Sequence, residues 1–267
     1  MNIDNIIRSD FPNNVPVELL SSFLVMLIII VLSFIIYFKQ KKMKPLEKPR
    51  GITSLMEILI EYMDKKTGED MGILHVSLSP YFMCLFAYIF LGFIVGIIGI
   101  PNLIYLGEDS QFNSNKLFTA LPNPFTNLAF PLIIGFITWI LIQAISIRFK
   151  KAKYLKQFVS PIPGVGLFTV FSPLISLSFR LFGNAFAGFC LSTITYFAFS
   201  QIVNGLGLIL VPAIMPFFHA YFDLFAGFIQ SLVFMTLSMM DIANEGPSIE
   251  EQLSMVSGRY KLLKDLQ

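Results

Sequence analysis

Leu19–Phe38 reads L-L-S-S-F-L-V-M-L-I-I-I-V-L-S-F-I-I-Y-F, a run with no charged residue. About 20 apolar residues are what an α-helix needs to cross a hydrocarbon core. Tyr81–Ile100 and Leu128–Ile147 reach the same length. The first run follows an acidic stretch (Asp4, Asp10, Glu18) and no small-residue cleavage site comes after it, so it reads as a retained span, not a signal peptide. Two longer apolar regions follow, from about Pro163 to Val203 and from Gly205 to about Asn244, and each carries ionisable or amide side chains. Composition agrees: of 267 residues, 55% are hydrophobic and 13% charged, and 29 are phenylalanine. A soluble domain carries about 25% charged residues. A water-soluble enzyme, a disordered chain and a nucleic-acid binder are therefore excluded, and a net charge of +2 is too small to argue for an anionic partner. Cys84 and Cys190 lie inside apolar runs and read as small core residues, not as a disulfide or metal site.

The expected fold is an all-α polytopic membrane protein. It has five membrane-crossing helices and one amphipathic helix on the inner surface, with the last two spans long and strongly tilted as a hairpin. Sixteen of the 19 basic residues fall between the first two spans (Lys39 to Lys66), after the third (Arg148 to Lys156) and in the tail (Arg259, Lys261, Lys264). The positive-inside rule then puts the amino terminus outside and the carboxyl tail inside, a parity that five crossings satisfy. The chain divides into an external segment 1–18, the first span 19–38 and an inner basic loop with the surface helix, 39–78. Next come two spans within 79–148 around an external, irregular loop 101–127, an inner basic loop 149–171, the hairpin 172–244 and an inner tail 245–267. The surface helix is read at Ile52–Lys66, with Leu55, Met56, Leu59 and Met63 on its apolar face and Glu57, Glu61, Asp64 and Lys65 towards the other.

The hairpin carries the chemistry. Arg180 is the one charge in Ser172–Val203. An arginine in mid-bilayer costs at least about 2.5–3.5 kcal/mol and cannot be neutralised, so it needs a partner, a hydrated cavity or a purpose. Snorkelling or pairing with a lipid phosphate is the structural alternative. Asn184 follows one turn on, and Gly183 and Gly188 leave that surface thin enough for another helix to approach. The last region holds His219, Asp223 and Gln230, at spacings that put all three on one face of an α-helix. Asp223 is an intramembrane carboxyl, for which a structural ion pair is the competing reading. H-x-x-x-D supplies two metal ligands and no third is near, so neither a metal nor a cofactor is expected. Asn204-Gly205 is a turn signal. Folding the two arms about Gly205 places Arg180 beside Gln230, with the His219/Asp223 pair nearer the turn and outside. Pro212 and Pro216 make this register approximate. A polar line then runs from His219 and Asp223 through Arg180, Asn184 and Gln230, and inward past Ser176, Thr236, Ser238 and Asp241. A tilted hairpin with one fixed cation looks like a stator against which something else moves.

S-L-S-F-R-L-F-G-N-A-F-A-G, Ser176–Gly188, closely resembles the arginine-helix motif of subunit a of the F-type ATP synthase. H-A-Y-F-D-L-F-A-G-F-I-Q-S-L-V-F-M-T-L, His219–Leu237, is similar to that family's final helix, and Pro49–Tyr62 to its surface helix. The resemblance runs from Pro49 to Asn244 in family order. It implies a non-catalytic membrane subunit docked against a rotating ring of c subunits and joined to the peripheral-stalk b subunits and the rest of the synthase. Ions would load a ring carboxyl from one half-channel and leave by the other. Arg180 matches the family's essential arginine, and Asn184 and Gln230 match the polar residues beside it. Two departures stand out. Phe189 occupies a position where many relatives carry Glu or His, and Asp223, with His219 a turn away, holds the partner position on the last helix. The P-N-P-F-T-N stretch, Pro122–Asn127, also lacks the acidic residue of some relatives. The implied location is a bacterial plasma membrane, with a mitochondrial inner membrane as the alternative. The competing function is a stand-alone secondary transporter or ion channel, although only one hairpin of the broken-helix kind is present and no repeat of it. A pure membrane scaffold would leave Arg180, Asp223 and Gln230 without a reason.

Overall fold

Among the described residues, five helices are long and apolar enough to cross a membrane, running over Glu18–Lys41, His75–Val95, Ala129–Lys150, Phe168–Ser192 and Pro216–Glu245. The computed structural model describes residues 17–42, 51–97, 99–101, 118–120, 122–150, 154, 165–202, 214, 216–247 and 251–254. The amino-terminal segment, most of the 101–127 and 149–171 loops, the Asn204-Gly205 turn and the tail beyond 254 lie outside the described residues. Helix α1 is Val17–Lys41, α2 Ile52–Met71, α3 His75–Val95, α4 Ala129–Lys150 and α5 Val165–Ile202. The last span is π-helical over Ala220–Ala226 and continues as α6, Gly227–Glu245.

Several boundaries differ from the sequence reading, each for a local reason. Helix α3 starts at His75, not Tyr81, and follows α2 after a single 3-10 turn, Gly72–Leu74. Gly72 has φ +58°, which only glycine adopts without strain, and His75 Nδ1 lies 2.7 Å from the Gly72 carbonyl oxygen. The same helix stops at Val95, where Gly96 begins a turn. Beyond it, Gly99–Pro101 (β1) pairs antiparallel with Phe118–Ala120 (β2), Ile100 opposite Thr119, so the ends of the loop read as irregular form a short ladder. The surface helix extends to Met71. It buries Thr53, Met63, Thr67 and Met71, while Leu55 is 67% exposed. Its packed face is therefore rotated away from Leu55, leaving apolar side chains on the outer side. Cys84 and Cys190 are free thiols, as read, but they are exposed and half-buried, not core. Apolar residues on the outside are what a lipid-facing surface requires.

The chain forms two compact units, each from three stretches. The first takes Met1–Phe38, Phe86–Pro131 and Phe179–Leu232. Within it the Ser22 and Tyr88 hydroxyls of α1 and α3 are 2.6 Å apart. Phe125 is fully buried against Tyr88 and Phe93, and Phe228 packs edge-on to Phe86 and Phe90. Association inside a membrane relies on such close packing, because lipid removes the hydrophobic drive between helices. Asn123 caps a 3-10 turn at Pro124–Thr126, its Oδ1 accepting from the Phe125 N–H, and Asn127 Oδ1 accepts from the Ala129 N–H at the head of α4.

The second unit takes Lys39–Leu85, Leu132–Ser178 and Val233–Gln267. Tyr81 of α3 lies 2.7 Å from the Thr138 hydroxyl of α4, and Trp139 Nε1 donates to the Val170 carbonyl of α5 at 2.8 Å. Gly135 meets α5 at Leu174 and Ser178, so closely that an added Cβ would sit 2.1 Å from the Ser178 hydroxyl. At the ends of α4 and α6, Lys150 pairs with Glu245 at 2.8 Å and Ser146 donates to the same carboxylate. Spans three and five thus finish together, as two helices crossing in the same direction should.

Candidate functional site

Helix α5 buries Leu177, Leu181, Ala185 and Gly188, a stripe at helical spacing. Arg180, Gly183 and Ala187 fall on a different face, and all three are exposed. An added Cβ at Gly183 would meet nothing within 4 Å. Arg180 therefore stands beside small side chains on a surface that the described residues leave uncovered. The described residues contain the ion pairs Lys66–Asp70, Lys150–Glu245 and His219–Asp223, and Arg180 takes part in none of them. A guanidinium on an apolar helix without a carboxylate from its own described chain calls for a counter-charge from elsewhere.

The last helix lies antiparallel beside α5. Asn184 Nδ2 donates to the Ala226 carbonyl at 3.4 Å, and Gly188 faces Phe222, whose Cβ would be 3.1 Å from an added Cβ. Both pairs are equidistant in sequence from Gly205, the pivot expected from the turn signal. One further turn along the same register sets Arg180 level with Gln230. Gln230 is 7% exposed, and its buried Nε2 has no hydrogen-bond partner among the described residues. An orphaned buried donor costs about 1–3 kcal/mol, so this amide is poised for an acceptor that the chain does not supply.

His219 Nδ1 and Asp223 Oδ2 are 2.6 Å apart, both half-buried, so the pair expected from the i, i+4 spacing forms. It forms inside a feature the sequence reading missed. Ala220–Ala226 is π-helical, and a π turn takes in one residue more than an α turn. At about 100° per residue, the extra residue turns Gln230 away from the face it would share with His219 and Asp223 in a regular helix. Arg180, Asn184, His219, Asp223 and Gln230 all belong to the first unit, and Asp241 to the second. Among the described residues no group of three or more His, Cys, Asp or Glu side chains could hold a metal ion.

These features define a class: a multi-pass helical membrane protein with an arginine exposed in one span, outside the ion pairs of the described residues, and a carboxylate–imidazole pair on the adjoining span. Comparison with known proteins gives the family. The pattern of the ATP synthase A chain family matches residues 19–242, and the chain belongs to that family. It is 25% identical over 240 residues to ATP synthase subunit a of Mycoplasma pneumoniae, covering 81% of this chain and 74% of that protein. The subunit a of a Sulfurihydrogenibium species is 28% identical over 82% of this chain and 92% of its own length, and that of Enterococcus hirae is 26% identical over 83% and 89%.

Proposed function

We propose that the chain is the ion-conducting stator subunit of a rotary F-type ATP synthase in a bacterial plasma membrane, with its amino terminus outside and its tail inside. Its partners are the c-subunit ring and the peripheral-stalk b subunits. The observation that carries this reading is Arg180, exposed on α5 with no carboxylate partner among the described residues. A ring carboxylate passing this face supplies the missing counter-charge. At about 4 Å and an effective dielectric constant of about 20, two unit charges attract by about 4 kcal/mol, enough to hold the carboxylate ionised yet release it when the ring turns. The fixed cation also blocks direct passage of ions between the half-channels. Gln230 Nε2 offers the passing carboxylate a hydrogen bond, and its neutrality keeps that bond easy to break.

His219 and Asp223 form the proton-handling pair of the external half-channel. They replace the ionisable side chain that Phe189 lacks. A carboxylate and an imidazole in hydrogen-bond contact can pass a proton from one to the other. Asp241 lines the inner half-channel. The test is Arg180→Ala in the assembled complex: ATP synthesis and ATP-driven pumping are lost while the complex stays intact. Near-normal coupled synthesis would sink the assignment.

A further inference from the structure

We propose that the π turn at Ala220–Ala226 is a positioning element of the half-channel, held by Asn184, which sets the direction of the His219–Asp223 pair relative to Gln230. The inference rests on the reading of that pair as the proton-handling group.

In a regular helix, His219, Asp223 and Gln230 would share a face. A site serving both a half-channel and the arginine gains from separating them, and one inserted residue does so by about 100°. π turns have poorer hydrogen-bond geometry than α turns and persist where the surroundings hold them. Three contacts bracket this one. On the α5 side, Gly188 lacks a Cβ and admits Phe222. One turn along α5, the Asn184 carboxamide donates to the Ala226 carbonyl, the last in the π segment. On the α3 side, Gly227 ends the turn directly against Phe93, where an added Cβ would be 2.6 Å from the ring. Phe222, Ala226 and Gly227 are thus each fixed from outside the last helix, and the widened turn between His219 and Gln230 has little room to relax. Asn184 acts through this turn and not on the ion itself, so it is a positioning residue.

The experiment deletes Leu224, which lies in the turn and is 47% exposed, and measures passive proton conductance of the full membrane sector after the catalytic head is stripped off. A π turn absorbs one inserted residue without rotating the helix beyond it, so removing Leu224 restores an α turn and leaves His219, now one residue closer to Gln230, in its original direction. Conductance should therefore stay near wild type with a normal complement of ring and stalk subunits. Moving the pair back one position in the shortened chain (Phe218→His and Phe222→Asp, with His219→Phe and Asp223→Phe) turns it by about 100° onto the face of Gln230, as in an unbroken helix, and conductance should fall at least about tenfold, because a displaced proton-transfer group loses hydrogen-bond reach. In the shortened chain with the pair unmoved, which has no π turn, Asn184→Leu should have no further effect, whereas in the unaltered chain it lowers conductance. A relocated pair that conducts like wild type would overturn the proposal. So would loss of conductance from the deletion alone, a persisting Asn184→Leu effect in the shortened chain, or failure of that chain to assemble, which would give the turn a packing role only. The underlying relay reading fails separately, if Asp223→Asn in the full-length chain conducts like wild type.

Discussion

Gly227→Ala adds one carbon at the point where the last helix meets α3. That carbon would lie 2.6 Å from Phe93 Cγ and 2.7 Å from Phe93 Cβ. Carbon atoms rest at about 3.5–4.0 Å, so the two helices must part locally by about 1 Å. Phe93 cannot swing aside, since it is 1% exposed and its ring lies against Phe125, which in turn crowds the neighbouring Gly92. Overpacking of this kind costs about 1–3 kcal/mol, and replacing glycine with alanine inside a helix returns about 0.5–1 kcal/mol. The net effect is a loss of about 1–2 kcal/mol. Gly183→Ala makes the same chemical change where nothing lies within 4 Å, so it should keep the gain and stabilise the isolated subunit. The assay is unfolding of the full-length subunit in mixed micelles, followed by fluorescence of its one tryptophan, Trp139. Phe93→Val combined with Gly227→Ala should recover part of the loss by opening space. A Gly227→Ala variant as stable as wild type would refute the packing described for this contact.

Other outcomes follow from single contacts. Trp139→Phe removes the N–H that meets the Val170 carbonyl, close to Pro173 inside the same helix, and should cost about 1 kcal/mol in a circular-dichroism unfolding curve; an unchanged curve would show that the bond contributes nothing. Gln230→Leu replaces an orphaned amide with a side chain of similar size, so the isolated subunit should become more stable by up to about 1–3 kcal/mol while ATP synthesis slows without uncoupling. Severity equal to Arg180→Ala would invert the ranking of the two residues. Arg180→Lys should fail nearly as badly as the alanine variant in ATP-driven pumping, since an ammonium lacks the planar fork and loses its proton when desolvated; robust pumping would show that charge alone suffices.

The five spans were legible because twenty-residue apolar runs leave few alternatives, and the hairpin register was legible because the Asn204-Gly205 turn signal in the sequence offers a pivot to count from. Contacts at Asn184–Ala226 and Gly188–Phe222 follow that register. The His219–Asp223 pair was readable from spacing alone. The π turn was not, because a shift from i+4 to i+5 bonding is imposed by neighbours such as Phe93 and Asn184 and leaves no residue-type signature of its own. Gly227 and Gly188 were the available hints, being small residues on either side of the turn. The early start of helix α3 was not legible because S-L-S-P reads as loop, whereas Pro80 lies inside the helix and costs it one hydrogen bond. Leu55 was assigned to the apolar face of the surface helix by periodicity, without saying whether that face packs on the protein or meets lipid. In a membrane protein, apolar side chains face outward as well as inward, and periodicity does not separate the two.

The central claim is that the face of α5 carrying Arg180 meets the ring. Disulfide trapping tests it directly, in a complex whose Cys84 and Cys190 are first replaced by serine. Single cysteines at Gly183 and Ala187, on the exposed arginine face, are paired with cysteines one turn from the essential carboxyl of the c subunit. Both should cross-link to the ring, while cysteines at the buried Leu181 and Ala185 should not. Cross-links from Leu181 and Ala185, with none from Gly183 or Ala187, would contradict the claim.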